Sequence, residues 1–378
     1  MTQANPLQAS HLHPRPSFDI GDHPLPSRHQ EVWRFTPLDR AAPLLDAQAS
    51  WGDASLRVEG PAGVVVDEVS GRPAGRLVPV DRPSAIAANR AQVVRRVRVT
   101  GDQATPVLVD IEALAGRPLV SQMVIEAAAG SRGVVVIRHS GPGTFVGNVE
   151  IDVGEQADLT VVSLQNWAGT ARHAGLHQSF VGRDAHYRHV AVTLGGSLVR
   201  LQNNISYDGP GGVAELFGLY LTSAPQHHEH RLFVDQNSPK TTSRVDYRGA
   251  LQGAGAHAVW VGDVLIRPEA TGIDSYESNR NLLLTKGCLV DSVPNLEIAT
   301  GDILGAGHSS ATGHFDDEQL FYLESRGLPP RIARQLVVQG FLYDIIRRIG
   351  VPFVEDSLRQ AVDAELAKAA IQTSHEED

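Results

Sequence analysis

The sequence predicts a mainly β protein: a β-solenoid core with a small segment before it and a helical domain after it. Three observations carry this reading. Between about residues 105 and 305, short apolar or alternating runs such as "PVLVDIEA", "GVVVIRHSG", "ADLTVVSLQNW" and "AVWVGDVLIR" recur roughly every 10 to 15 residues, punctuated by Gly, Asn, Asp and Pro. No helical stretch long enough to be a crossover separates them, and Asn-Gly hairpin signals are missing. Stacked turns are therefore favoured over a sandwich, a choice that periodicity alone leaves open. After Gly313 the hydrophobic period changes from 2 to about 3.6.

The elements follow in order. Residues 1–27 are polar and proline-rich and read as a flexible arm. Residues 28–104 read as an α/β segment, opened by the apolar anchor Val32, Trp33 and Phe35 and containing a helix near Pro83–Arg95. The solenoid core is expected over 105–313, the helical domain over 314–372 and a polar tail over 373–378. Asp316 and Gln319 resemble a capping pair for a first helix that Gly327 and Pro329 stop. Ile332, Leu336, Val337, Phe341, Ile345 and Ile349 form the expected apolar face of a second helix, and Leu358, Val362 and Leu366 begin a third.

Composition limits the function. The 378 residues are 42% hydrophobic, enough for a substantial core, and the net charge of −10 argues against a nucleic-acid partner. No run of 18 apolar residues suggests a membrane span. The N-terminus lacks an apolar signal region, so a cytoplasmic location is expected. A single cysteine, Cys288, rules out an internal disulfide and a multi-cysteine metal site, and it reads as a small core residue.

Three stretches could carry chemistry. "GHSSA", Gly307–Ala311, approaches the nucleophile elbow of serine hydrolases and would make Ser309 the nucleophile. That fold needs alternating βαβ units, and the preceding 200 or so residues show strands only, so a glycine-rich turn closing a β-stack is the better reading. "HHEH", His227–His230, places His228 and His230 on one strand face, a start for a metal site, but no third ligand stands at convincing spacing. A polar loop or exposed strand end explains it better. Aspartates along stacked strands would also suit a solenoid carbohydrate-active enzyme, a weaker alternative.

The C-terminal block "SVPNLEIATGDILGAGHSSATGHFDDEQLFYLESRG", the upstream "SYESNRNLLLTKGCLVD" and the entry "PSRHQEVWRFTPL" resemble the SufB/SufD family of iron–sulfur cluster assembly proteins, on its SufD side. The resemblance implies a right-handed parallel β-helix and a non-catalytic scaffold subunit. It would have no tightly bound cofactor and would pair with a SufB-like subunit through the β-helix and with a SufC ATPase through the C-terminal helices. A homodimer in isolation is left open; nucleic acid and membrane are not implied partners. Carried over residue by residue, the cluster-assembly histidine is His308, a transient metal ligand acting with a partner cysteine. The implied SufB interface comprises Leu296, Ile298, Ile303, Gly305, Gly307 and His308, with Leu296–Leu304 as its strand. The implied SufC-binding residues are Leu336, Gly340, Phe341 and Ile345. The family often carries a cysteine two residues before this histidine; here that residue is Ala306.

Overall fold

The computed structural model describes residues 15–70, 75–314 and 317–373. In chain order the strands are β1 (Gly52–Asp53), β2 (Ser55–Glu59), β3 (Val64–Ser70), β4 (Val93–Val99), β5 (Val107–Glu112), β6 (Leu119–Ala127), β7 (Arg132–Ser140), β8 (Thr144–Val153), β9 (Asp158–Gln165), β10 (Arg172–Val181), β11 (His186–Thr193), β12 (Leu198–Tyr207), β13 (Val213–Ser223), β14 (His227–Gln236), β15 (Thr242–Gln252), β16 (His257–Ile266), β17 (Asp274–Leu283), β18 (Leu289–Ile298) and β19 (Gly305–His314). The helices are α1 (Leu38–Leu45), α2 (Arg82–Arg90), α3 (Asp317–Ser325), α4 (Pro330–Arg347) and α5 (Pro352–Thr373).

Even-numbered strands from β4 to β18 form one sheet and odd-numbered strands from β5 to β19 the other, each neighbouring pair parallel and in register. The chain thus winds as a parallel β-solenoid of about 8 turns followed by C-terminal helices, as the sequence predicts. Among the described residues only β2 on β5 and β3 on β4 run antiparallel, at the N-terminal end.

Short of the last turn, both sheets are covered on both faces, which is why their strands read as near-continuous apolar runs. Val109, Ile125, Ile137, Ile151, Val161, Leu216 and Trp260 fill the lumen between the sheets. Outside the odd sheet, α4 and α5 lay Val338, Leu342, Ile345, Ile346, Leu358 and Val362 on Val162, Val190, Val192, Leu219 and Leu221. Outside the even sheet, Trp33, Leu44, Leu45 and Ile86 pack on Val120, Val146, Ala174 and Leu198.

The register is locked in the lumen by an exchange of tyrosine and glycine. Gly218 on β13 lies opposite Tyr247 on β15, and Tyr220 lies opposite Gly249. A Cβ at either glycine would collide with the facing ring. Each ring can therefore lie flat over the neighbouring strand only while the strands keep this alignment.

The N-terminal segment is held by a buried polar clamp. Glu229 on β14 accepts a hydrogen bond from Thr36 Oγ1 at 2.6 Å, and its carboxylate lies 3.2 Å from Arg200 Nε and 3.3 Å from Arg231 Nη1. Arg200 also pairs with Asp81 at 2.9 Å and lies over the Trp33 ring, 4.0 Å from its centroid. Burial opposes the charge on Glu229, but Arg200, with His227 and Arg231, outweighs it and holds the carboxyl well below its ordinary range. Asp81 further caps α2, accepting from Ser84 N. The arm expected over 1–27 is docked from residue 15, where Ser17 N donates to Pro79 O and Arg82 Nη1 donates to His23 O. Residues 1–14 lie outside the described residues.

Several expectations change. The helix near Pro83–Arg95 stops at Arg90 because Val93–Val99 joins the even sheet as β4. "HHEH" is neither a loop nor an exposed strand end: it opens β14, and all four side chains are buried. The strand placed at Leu296–Leu304 is the end of β18, which stops at Ile298 before a connection to β19. The expected cap at Asp316, and the tail after Thr373, lie outside the described residues. On α4 the buried residues are Ala333, Val338, Leu342, Ile345 and Ile346, the last four packed on the sheet, and not the Ile332–Leu336–Val337–Phe341 line; only Ile345 and Ile349 of that expected set are buried. Sequence spacing could not reveal that α4 lies on the odd sheet.

The two faces of α4 separate experimentally. Leu342→Ala removes a fully buried side chain and is expected to cost about 2–5 kcal/mol in urea denaturation. Leu336→Ala, 43% exposed, is expected to cost less than about 1 kcal/mol.

Candidate functional site

The last turn of the solenoid has no turn stacked beyond it. β18 pairs with β16 and β19 with β17, and among the described residues neither carries a strand on its outer edge. Facing strands in a parallel ladder share side-chain direction. His308 therefore continues the line of Glu277, Ser310 that of Asn279, and Ser292 that of the lumen residue Trp260. One turn inward these positions are buried; on the last turn they reach solvent.

His308 lies within β19, not on the turn expected from "GHSSA". The glycines that suggested a turn serve another purpose. Gly305 and Gly307 make room for the Tyr276 ring, which a Cβ at Gly307 would approach to 3.0 Å. Ser309 sits mid-strand opposite Ser278, with no strand-to-helix elbow around it, so the hydrolase reading loses its geometry.

His308 Nδ1 stands 3.9 Å from Glu277 Oε1, with the His308 side chain 44% exposed and that of Glu277 2%. Glu277 Oε1 has no hydrogen-bond partner. Gly262, across the lumen on β16, leaves the space for the carboxyl: a Cβ there would collide with Glu277 Oε2. Burial, and then the nearby Asp263 charge, push the Glu277 carboxyl up to about 8. Behind it a polar lane runs into the lumen. Ser292 Oγ donates to Asn279 Oδ1 at 2.7 Å, Asn279 Nδ2 donates to Tyr220 Oη at 3.0 Å, and Tyr220 Oη donates to Asn281 Oδ1 at 2.5 Å.

Of the interface residues named from the sequence, Gly305, Gly307 and His308 lie together on β19, and Leu296 and Ile303 pack at the lumen mouth. Ile298 ends β18, 47% exposed. The four helix residues do not share a surface. Leu336 and Gly340 are exposed, Phe341 is half-buried beneath Arg248, and Ile345 is buried against the odd sheet, which removes it from any docking face while α4 stays in place. Sequence reasoning missed Glu277. Its signal was the polar alternation Ser275, Glu277, Asn279, Asn281 in a strand one turn, about 30 residues, before His308.

The lumen also holds histidines that the sequence suggested as metal ligands. His228 accepts or donates at 2.9 Å with Thr222 Oγ1, and His230 stacks on Tyr220 at 5.2 Å. Among the described residues no group of three His, Cys, Asp or Glu side chains could hold a metal ion.

Fold and site together define a helix-flanked parallel β-solenoid whose final turn presents a histidine at an unpaired sheet edge. Residues 111–341 match the family described as SUF system FeS cluster assembly, SufBD core domain. An iron–sulfur cluster assembly SufBD family protein of Mycobacterium leprae is 47% identical over 364 residues, covering 93% of this chain and 93% of that protein. A SufBD family protein of Mycobacterium tuberculosis is 45% identical, covering 93% of this chain and 91% of its own length. The iron–sulfur cluster assembly protein SufD of Escherichia coli is 23% identical over 395 residues, covering 91% and 89%. The chain belongs to the SufBD family of iron–sulfur cluster assembly proteins.

The buried histidines set the acid limit of the fold. Burial pushes His139 and His230 down to about 4 and His189 and His228 down to about 3. Their folded values lie below the unfolded one, so their contribution is complete above about pH 6.5 and lost as pH falls toward 4, at roughly 1 kcal/mol per pH unit for each group. Glu277, raised to about 8, and Asp152, raised to about 7, both chiefly by burial, act in the opposite sense above their unfolded values, but they are fewer than the histidines. The melting temperature is expected to drop steeply below about pH 6. In His228→Asn the slope should be shallower; an unchanged slope would show that these histidines are not the cause.

Proposed function

We propose that this SufBD family member acts as a SufD-like, non-catalytic scaffold subunit. It pairs through its open last turn with a SufB-like subunit and carries a transient iron–sulfur cluster at that junction. The observation that carries the reading is His308: an accessible imidazole on the lumen line of the terminal turn, beside two unpaired strand edges. Such edges are ready to pair with another chain. Imidazole is a competent iron ligand. The thiolate, the usual cluster ligand, would come from the partner, since Cys288 is half-buried in the connection between β17 and β18. No tightly bound cofactor is needed for this role, and its setting is the cytoplasm.

The C-terminal helices are the docking surface for a SufC-type ATPase. Phe321 and Tyr322 on α3 and Leu336 on α4 are 72%, 57% and 43% exposed, apolar side chains turned away from the sheet. Removing the helices would bare Val162, Val190, Leu219 and Leu221, so truncation is a poor test of docking. Leu336→Asp tests it directly: ATPase binding is expected to weaken while the melting temperature stays near wild type.

The central test is anaerobic co-expression with the SufB-like and SufC-like subunits, followed by iron and sulfide analysis. His308→Ala is expected to leave the complex assembled and to remove most of its iron and sulfide. A normal cluster content would overturn the reading.

A further inference from the structure

We propose that Glu277 and His308 form a two-ligand half-site for ferrous iron, so that this chain brings a carboxylate as well as an imidazole to the junction. The inference rests on the functional reading above and names a second iron-binding group within it.

The distance is the first argument. At 3.9 Å, His308 Nδ1 and Glu277 Oε1 are too far apart for a hydrogen bond. They are close enough for one cation to bridge: two metal–ligand bonds of about 2.0–2.2 Å span up to about 4.2 Å when nearly straight and about 3.4 Å at a tetrahedral angle. A small rotation of the exposed imidazole covers the difference.

Burial is the second. Glu277 is 4% exposed and its Oε1 has no hydrogen-bond partner. Leaving a carboxylate oxygen unsatisfied in such a place is costly, and a structure retains the group only if something offsets it. The basic side chain that faces Glu277 Oε1 is His308, at 3.9 Å. The carboxyl is also held in a purpose-shaped space: Gly262 lacks the Cβ that would displace Oε2, and Pro294 lies opposite Gly262 on the last turn.

Charge is the third. The neighbouring acidic group is Asp263 on β16, whose Oδ1 accepts from Asn295 Nδ2 at 2.7 Å on β18. Asp263 lies near the open end, where its charge favours a cation. One carboxylate and one imidazole, with the remaining positions open toward a second chain, suit a ferrous ion awaiting thiolate or sulfide ligands.

The test uses Co²⁺, a spectroscopic substitute for ferrous iron, titrated into the full chain while the His308 imidazole signals are followed by NMR. Wild type is expected to show broadening of those signals that saturates. Glu277→Gln, the neutral isostere, should raise the dissociation constant about tenfold. Gly262→Ala, which crowds the carboxyl out of its place, should shift it in the same direction, giving a second variant should either prove poorly folded by circular dichroism. Equal Co²⁺ affinity in folded wild type and Glu277→Gln would overturn the half-site, whatever the cluster content of the complex. Conversely, weaker Co²⁺ binding by Glu277→Gln together with normal iron and sulfide in His308→Ala complexes would uphold the half-site and overturn the assembly role assigned to His308.

Discussion

The alignment of one turn upon the next is the constraint on which this molecule depends, and the tyrosine–glycine exchange between β13 and β15 shows how it is enforced. Tyr220 and Tyr247 each occupy the space that a missing Cβ leaves on the facing strand. A slip of one residue would send the lumen residues to the outer face, and a slip of two would set Tyr220 against Tyr247. With the alignment fixed, the inward positions of successive strands form continuous files. The file through Glu277 ends at His308. Where the site stands is therefore decided inside the solenoid, one to two turns before the residues that form it.

The layers on either side have a related role. Parallel sheets survive where both faces are covered. Here the N-terminal segment covers one and α4 with α5 the other, the first through the Glu229–Arg200–Asp81 clamp and the second through an apolar seam. Neither layer extends over β18 and β19, whose side chains are mostly half-buried or exposed. The same core that makes most of the chain self-sufficient thus stops one turn short, and His308 stands where it stops.

Much of the fold was legible in the sequence because interior turns have neighbours on both sides. Their inward positions must be apolar and their strands read as strands, as with "GVVVIRHSG" or "AVWVGDVLIR". The final strand was not legible for the same reason reversed. Gly305–His314 has a neighbour on one side only, so its inward positions need not be hydrophobic, and Gly305 and Gly307 answer to the Tyr276 ring rather than to a turn. His308 could be picked out because of the motif around it, but its partner Glu277 could not, since the two are brought together by the pitch of the solenoid and not by spacing along a motif. On α4, a spacing of four picked Leu336 and Val337, whereas the chain's docking onto the odd sheet selected Val338, Leu342 and Ile346. Amphipathic spacing shows that a helix has a face; the neighbour decides which face it is.

The two ends of the solenoid are unlike each other, and this governs what it can polymerise into. The N-terminal end finishes in strands of reversed direction, the short β2 with its Arg57–Glu59 pair and β3 with Asp67 and Glu68, and so gives no parallel template matching β18 and β19. On the opposite edge Pro294 interrupts β18 with a residue that has no N–H to donate. Head-to-tail stacking, the heterologous contact that propagates into fibres, is therefore disfavoured at both faces. Contact between two open ends uses up both of them, so an assembly joined there closes at two chains. An exposed β edge, ordinarily an aggregation hazard, becomes in this geometry a joint that can be used once.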